Sequence, residues 1–408
     1  MAITIQSSPA PYSSMHDDLW YVSSSTNVGE TAFKFVYDVY VNGGQVSRTK
    51  IYPSPSAEGS YGVFNASPMV RAYVTNYFEP SGSSILVASN DKIKVNSTIQ
   101  VGEEYVSGGN LVTTTNLVSG ALSAYNYYPP LFADILFVNN NTPLVLSDYY
   151  DNLLIENFTD DWLTERDTEN ITIEYGDNFY ATYFKITAGA YSAWIDVVNE
   201  SGTIIDTASG GITFLGEMNL FNCQAGHINT FAGRTLITEN TYGYNVYLKR
   251  GVAISRKLQF KQKCYPKYKQ YNLHFLNRLG GWDTMKFALV NKRSTEVQRA
   301  SYRRNDWQLS GNTMTNIDSY NKYNETNLNY AIQHKDRFHL ISDWVSQQDY
   351  EWLAQLFAST ITYMEVQGAY FPVTISSTNY EYKLESSDKL FNFEIDIEVG
   401  KYITSQFR

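Results

Sequence analysis

Phe391-Asn-Phe-Glu-Ile-Asp-Ile-Glu-Val399 alternates apolar and polar residues without a break. Phe391, Phe393, Ile395, Ile397 and Val399 fall on one side, with Asn392, Glu394, Asp396 and Glu398 between them. A period of two places the two sets on opposite faces of a β-strand. One face packs a core and the other is a row of carboxylates, and so apolar a face is predicted to lie inside a sheet. The same alternation occurs at 33–41, where Phe33, Phe35, Tyr37, Val39 and Val41 share a face. Asn42-Gly43-Gly44 follows, and the chain returns over 46–52, which predicts a hairpin. Pro53 and Pro55 end its second strand.

Working outward, a short helix is expected after Ser67, read as its N-cap, with Pro68 at the favoured first position. Val70, Tyr73, Val74 and Tyr77 would share one face. Short strands are expected at 84–88, 93–101 and 111–117, and the chain turns acidic at 157–169. A second series follows at 171–175, 180–187, 193–198, 203–207 and 246–248, with a hairpin tip at Asn199-Glu-Ser-Gly202. Its spacing fits an Ig-like sandwich of about seven strands. No exact sequence repeat links the two series. Residues 305–329 read as loop with one strand. The clearest helix is 346–358: Ser346 is its N-cap, Asp349 stands in the capping-box position, Val345 staples onto Tyr350, and Tyr350, Leu353, Ala354 and Phe357 form the stripe. Gly368 then turns the chain into strands at 370–375 and 380–384. The expected fold is mainly β, with two or three sandwich- or barrel-like domains, a few short helices and an α+β C-terminal part. Its divisions are 1–160, 161–260 and 261–408.

Composition agrees with a large β-protein. The 408 residues exceed one ordinary core, 15% are aromatic and 34 are Tyr, a residue suited to half-buried strand faces and to interfaces. Charged residues are sparse at 18%. Cys223 and Cys264 form no CxxC pair; buried thiols are expected, and a disulfide stays open. The first twenty residues lack a basic segment followed by an apolar core, and no apolar run is long enough to span a bilayer. Synthesis in the cytoplasm without a membrane anchor is the expectation, which leaves the N-x-S/T triplets at Asn96, Asn157, Asn170, Asn199 and Asn324 without meaning.

No P-loop, dinucleotide fingerprint or nucleophile elbow is present. The five histidines are scattered; His334 and His339 point to opposite sides of a strand. Glu394, Asp396 and Glu398 would suit Ca²⁺ or a glycosidase pair, or equally an ordinary outward face. No catalytic, cofactor-binding or metal-ligating residue is assigned. What stands out is charge. From Lys249 to Arg304 there are 15 bases and two acids, a net +13, while the rest of the chain is −23. Lys261, Lys263, Lys267, Lys269, Arg293, Arg299, Arg303 and Arg304, with Tyr265 and Tyr268, are the interface candidates. Three readings are open. One is a phosphate track with stacking platforms, since Phe260, Tyr265, Tyr268 and Tyr271 interleave with the lysines. The second is a basic face meeting the acidic body of the next copy, head to tail. The third is a solvated strand face whose bases pair within the fold.

Leu273-His-Phe-Leu-Asn-Arg-Leu-Gly-Gly-Trp-Asp-Thr-Met-Lys-Phe287 resembles virion structural proteins of tailed phages infecting Bacteroidetes, the crAss-like group included. So do Leu340-Ile-Ser-Asp-Trp344, Phe371-Pro-Val-Thr-Ile375 and Asp388-Lys-Leu-Phe-Asn-Phe393, and more weakly Pro11-Tyr-Ser-Ser-Met-His-Asp-Asp-Leu-Trp20. The resemblance implies a virion component, a tail or neck ring or adaptor built of β-domains. Its partners would be its own copies in a ring and other tail, neck or portal proteins, with DNA contact as a further option; it transfers no catalytic residue. The motif itself reads as packing, with Leu273, Phe275, Trp282, Met285 and Phe287 around a Gly280-Gly281 turn and Arg278 facing Asp283. A host-surface carbohydrate binder or depolymerase, and a nucleic-acid-contacting protein at the genome exit, are the alternative functions.

Overall fold

The computed structural model describes residues 3–75, 78, 80, 82–89, 93–126, 161–185, 187–263, 268–303, 307–316, 327–377, 391–400 and 403–407. The chain is mainly β and divides into two units. The first contains 1–264 and 276–284, the second 265–275 and 285–408.

The first unit begins with β1 (Ile3–Ser7), β2 (Tyr12–Ser14), β3 (Trp20–Ser25), β4 (Thr31–Val41), β5 (Gly44–Ile51), β6 (Ser54–Ser56), β7 (Gly59–Asn65) and helix α1 (Ser67–Arg71). It continues through β8 (Leu86–Ser89), β9 (Lys94–Ser107), β10 (Asn110–Val118) and β11 (Leu122–Tyr125). Sheet β1-β3-β7-β6 faces sheet β2-β11-β9-β4-β5, with β10 paired to β9. Tyr21 and Phe64 from one sheet meet Tyr37, Val39, Ile99 and Val101 from the other in a shared core. The 33–41 alternation is explained here, since its odd-numbered residues all enter this core. Asn42 and Gly43 turn the β4–β5 hairpin with φ of +50° and +85°, matching the twist of the strands it joins.

Next come β12 (Asp161–Trp162), β13 (Ile171–Ile173), β14 (Tyr180–Phe184), β15 (Tyr191–Val198), β16 (Ile204–Ile212), β17 (Met218–Asn222), helix α2 (Ala225–Ala232), β18 (Gly243–Arg250), β19 (Ala253–Ile254) and β20 (Leu258–Gln262). Their sheets are β12-β14-β17-β8 and β13-β20-β18-β15-β16, with β19 paired to β18. Trp162, Tyr183 and Phe221 pack against Ile195, Val246 and Phe260 between them.

These two sandwiches share one topology. Reading along each sheet, β12 stands for β1, β14 for β3 and β17 for β7; β13, β20, β18, β15 and β16 stand for β2, β11, β9, β4 and β5. Both contain one parallel pair at the same place, β2–β11 and β13–β20, and both carry a helix directly after the third strand of the smaller sheet. The fourth place in that sheet differs: β6 fills it in the first sandwich and β8 in the second. Side chains repeat as well. The Ser119 hydroxyl accepts from Ile99 N and donates to Gly120 O, while Ser255 does the same with Leu248 N and Arg256 O. The duplication lies in connectivity and in hydrogen bonds to the backbone, so it leaves little trace in the sequence.

Several expectations are corrected. Ala66, not Ser67, is the N-cap of α1, and the Ser67 N–H is taken by the Asn65 side chain. The helix stops at Arg71, short of Tyr73 and Val74; Tyr77 lies outside the described residues. α2 was not anticipated among the strands of the second series. Its Gln224 N-cap uses no side chain, and Gly233, left-handed at φ +64°, was its one legible signal.

The second unit consists of β21 (Tyr271–Leu276), β22 (Trp282–Phe287), β23 (Lys292–Arg303), β24 (Trp307–Ser310), β25 (Thr313–Asn316), β26 (Asn327–Ile341), helix α3 (Gln347–Ala358), β27 (Thr362–Val366), β28 (Ala369–Ile375), β29 (Glu394–Val399) and β30 (Ile403–Phe407), with the 276–284 turn counted in the first unit. One sheet runs β22-β21-β27-β28-β29-β26-β23, with β30 on β26. Helix α3 covers it through Tyr350, Trp352, Leu353 and Leu356. Ser346 caps α3 as expected, its hydroxyl accepting from Asp349 N at 3.2 Å. Within 305–329, β24 and β25 form a two-stranded hairpin rather than a loop with one strand. The strand expected at 380–384 lies outside the described residues.

The motif at 273–287 is divided. Leu273, Phe275, Met285 and Phe287 pack in the core of the second unit, whereas Trp282 packs on Phe78 in the first, ring centroids 4.6 Å apart. Gly280 has φ of +80°, and a Cβ on Gly281 would lie 2.4 Å from Leu163 O, so neither tolerates a side chain. Arg278 reaches Glu165, and the Asp283 carboxylate accepts from the Asn277 amide at 2.9 Å.

Candidate protein interface

The basic segment does not form one element. Of its 15 bases, seven belong to the first unit and eight to the second. In the first unit many have intramolecular partners. Arg256 binds the buried Asp161 and donates to the carbonyls of Trp162 and Thr164. Burial pushes the Asp161 carboxyl above its ordinary value, although Arg256 opposes this. Lys249 sits 3.6 Å over the Trp194 ring, and Lys257 lies 4.6 Å over Tyr247 with Asp196 at 3.8 Å. These contacts attach the segment to its own sheet.

Among the ten interface candidates, Lys261 is exposed and donates to Asn170 at 2.7 Å, and Lys263 is exposed beside it. Lys269 and Tyr268 are exposed in the second unit. Tyr265, Lys267 and Arg304 lie outside the described residues. Arg293 is held by Asp336 at 2.6 Å on β26. Arg299 and Arg303 are exposed on β23, and Arg299 makes no ion pair among the described residues. Among the described residues, two of the four expected aromatic platforms lie inside the fold: Phe260 is buried against Tyr244, and Tyr271 is buried against Phe338. Alternation misleads here, because residues that interleave in sequence face opposite sides of a strand.

The carboxylate row on β29 is an ion ladder with β26. Glu398 is bound by Lys335 and by Arg337 (2.8 Å), Asp396 by His339 at 2.8 Å, and Glu394 lies 3.6 Å from the same ring. Arg337 also reaches Glu296 on β23 at 2.7 Å. The hydrogen bond from Lys335 holds the Glu398 carboxyl below its usual range. Among the described residues no group of three or more His, Cys, Asp or Glu is placed to hold a metal, and no helix is long and apolar enough to cross a membrane. Cys223 is a free buried thiol whose ionisation burial disfavours strongly, and Cys264 lies outside the described residues.

Two features were missed by reasoning from charge. The first is the β23–β26 ribbon. Twelve residues of β23 pair along β26, but the apolar covering ends near Phe338. Beyond it Val297 is 41% exposed, and Tyr302 and Tyr330 are each 50% exposed with rings 6.2 Å apart. The exposed pair Leu309 and Met314 lies on the β24–β25 hairpin. The second feature is β10, whose nine residues carry no charge. It pairs with β9 alone among the described residues, and Leu111 and Val118 are 66% and 55% exposed. The missing charge on β10 was legible; its position at a sheet edge was not.

Comparison with protein-family models finds no family that matches this chain, and comparison with curated proteins finds no relative.

Proposed function

We propose that this chain is a structural protein of a tailed-phage virion, a tail or neck ring or adaptor component that assembles with copies of itself and with other virion proteins. The observation that carries the reading is the β23–β26 strand pair, whose outer part exposes the apolar and aromatic side chains of Val297, Tyr302 and Tyr330 among the described residues. Exposed aromatics of this kind serve as anchors at protein interfaces. Its charge favours a protein partner over nucleic acid: residues 297–334 hold four bases against three acids, too even a balance for a phosphate track. The sequence resemblance in 273–287 and 340–344 points the same way.

The test is mass photometry of the purified chain across a salt series. A discrete closed oligomer at low salt that dissociates as salt rises is expected. A chain that stays monomeric at every salt and binds no other virion protein overturns the proposal.

A further inference from the structure

The tandem duplication supplies an internal control. In the second sandwich β19 needs two residues to complete its hairpin with β18; the equivalent strand in the first, β10, has nine, and its partner β9 has fourteen against eight. The sandwich topology therefore does not require a long β10. Among the described residues the extension nonetheless presents an unpaired edge of Leu, Val, Thr and Asn without a single charge. Edge strands of soluble proteins are ordinarily blunted by charge, proline or shortness, and this one has none of these protections.

The second unit has an open edge of comparable length and opposite character. β23 carries Lys292, Arg293, Arg299 and Arg303 against Glu296, a net +3, and pairs with β26 alone among the described residues. The first unit has 16 bases and 26 acids, a net −10, while the second is neutral with 15 of each. A cationic edge is thus attached to a neutral unit, and an uncharged edge to an acidic one.

We infer that the β10 edge is a docking site for a second copy of this chain, which adds its β23 edge there as an extra strand. The contact joins the first unit of one copy to the second unit of the next. Such head-to-tail joints are heterologous and close into rings or continue as filaments. Main-chain hydrogen bonds give the joint its strength. The charge difference steers approach, and Arg299, without an ion partner among the described residues, is available to the acidic unit. The inference rests on the self-assembly reading above and names its surfaces.

Cysteine cross-linking of the full chain tests it, in a Cys264→Ser background where Cys223 is buried. Leu111→Cys is mixed with variants that carry cysteine at each position from 295 to 301 in turn, under mild oxidation at low salt. A covalent dimer at one or two matching positions is expected, and a ladder of higher oligomers when both cysteines are on the same chain. Oligomers in mass photometry without a β10–β23 cross-link at any position overturn this docking and leave self-assembly standing. So does a dimer formed by Leu111→Cys alone, which would place two β10 edges together. Monomers at every salt overturn both.

Discussion

Asn65 and Asn222 occupy one position in two sandwiches. The Asn65 side-chain oxygen accepts from Leu19 N at 3.1 Å and Ser67 N at 3.0 Å; that of Asn222 accepts from Phe179 N at 3.2 Å and Gln224 N at 3.1 Å. Their amide nitrogens donate to Asp18 and Asn178, which stand just before Leu19 and Phe179. Backbone bonds repeat too, Ala66 N to Leu19 O and Cys223 N to Phe179 O. Each asparagine locks the start of one strand to the end of its neighbour and launches the following helix.

Asn65→Ala and Asn222→Ala should therefore have matching effects. Each leaves two backbone N–H groups without their acceptor, at a cost of about 1–3 kcal/mol. Urea unfolding should show a lowered midpoint for both. A loss confined to one would mean that the two positions are not mechanically equivalent.

Arg256→Ala should be far more damaging than loss of a surface ion pair. It removes the partner of the buried Asp161 carboxylate and two carbonyl contacts at once. Breaking such a pair from one side costs about 3–5 kcal/mol. The double variant Arg256→Met with Asp161→Leu should recover much of the stability in thermal melts, because no buried charge is then left alone.

Gly102→Ala should distort the β9–β10 hairpin. A Cβ there would lie 1.7 Å from Thr114 O, next to the register shift between Thr115 and Leu117. Backbone cannot yield as a flexible side chain does, and overpacking of this kind costs roughly 1–3 kcal/mol. Hydrogen exchange should show faster opening of β10, with the second sandwich unchanged.

The ladder of the second unit should be acid-sensitive. Glu398 has a depressed carboxyl pKa, chiefly through its hydrogen bond from Lys335. A group held below its unfolded value contributes stability above that value and loses it as pH falls through the folded one. The loss should thus appear below about pH 4.3, where free glutamate takes up its proton. Glu398→Gln should flatten the dependence of unfolding midpoint on pH in that range, and a slope identical to the wild type would refute the assignment.

Much of the strand content was legible because burial of one face imposes a period of two. Phe33 to Val41 and Ile395 with Ile397 read correctly for that reason, and Ser346 was legible as a cap because its hydroxyl acts within its own turn. Charge was less informative. Sequence clustering between Lys249 and Arg304 suggested one basic surface, but Arg256, Lys257 and Arg293 each found a partner far along the chain. The β10 edge had a readable composition, yet nothing local says which side of a strand lacks a neighbour.

The sequence by itself determined the mainly β character, the apolar faces and several turns and caps, because these follow from contacts between residues a few positions apart. Only the tertiary structure decided that one sandwich topology occurs twice, that the carboxylate row is an ion ladder, and that β10 and β23 each pair on one side alone among the described residues. Strand order, ion pairing across strands and exposed edges depend on which distant segments become neighbours, and local periodicity carries no record of that choice.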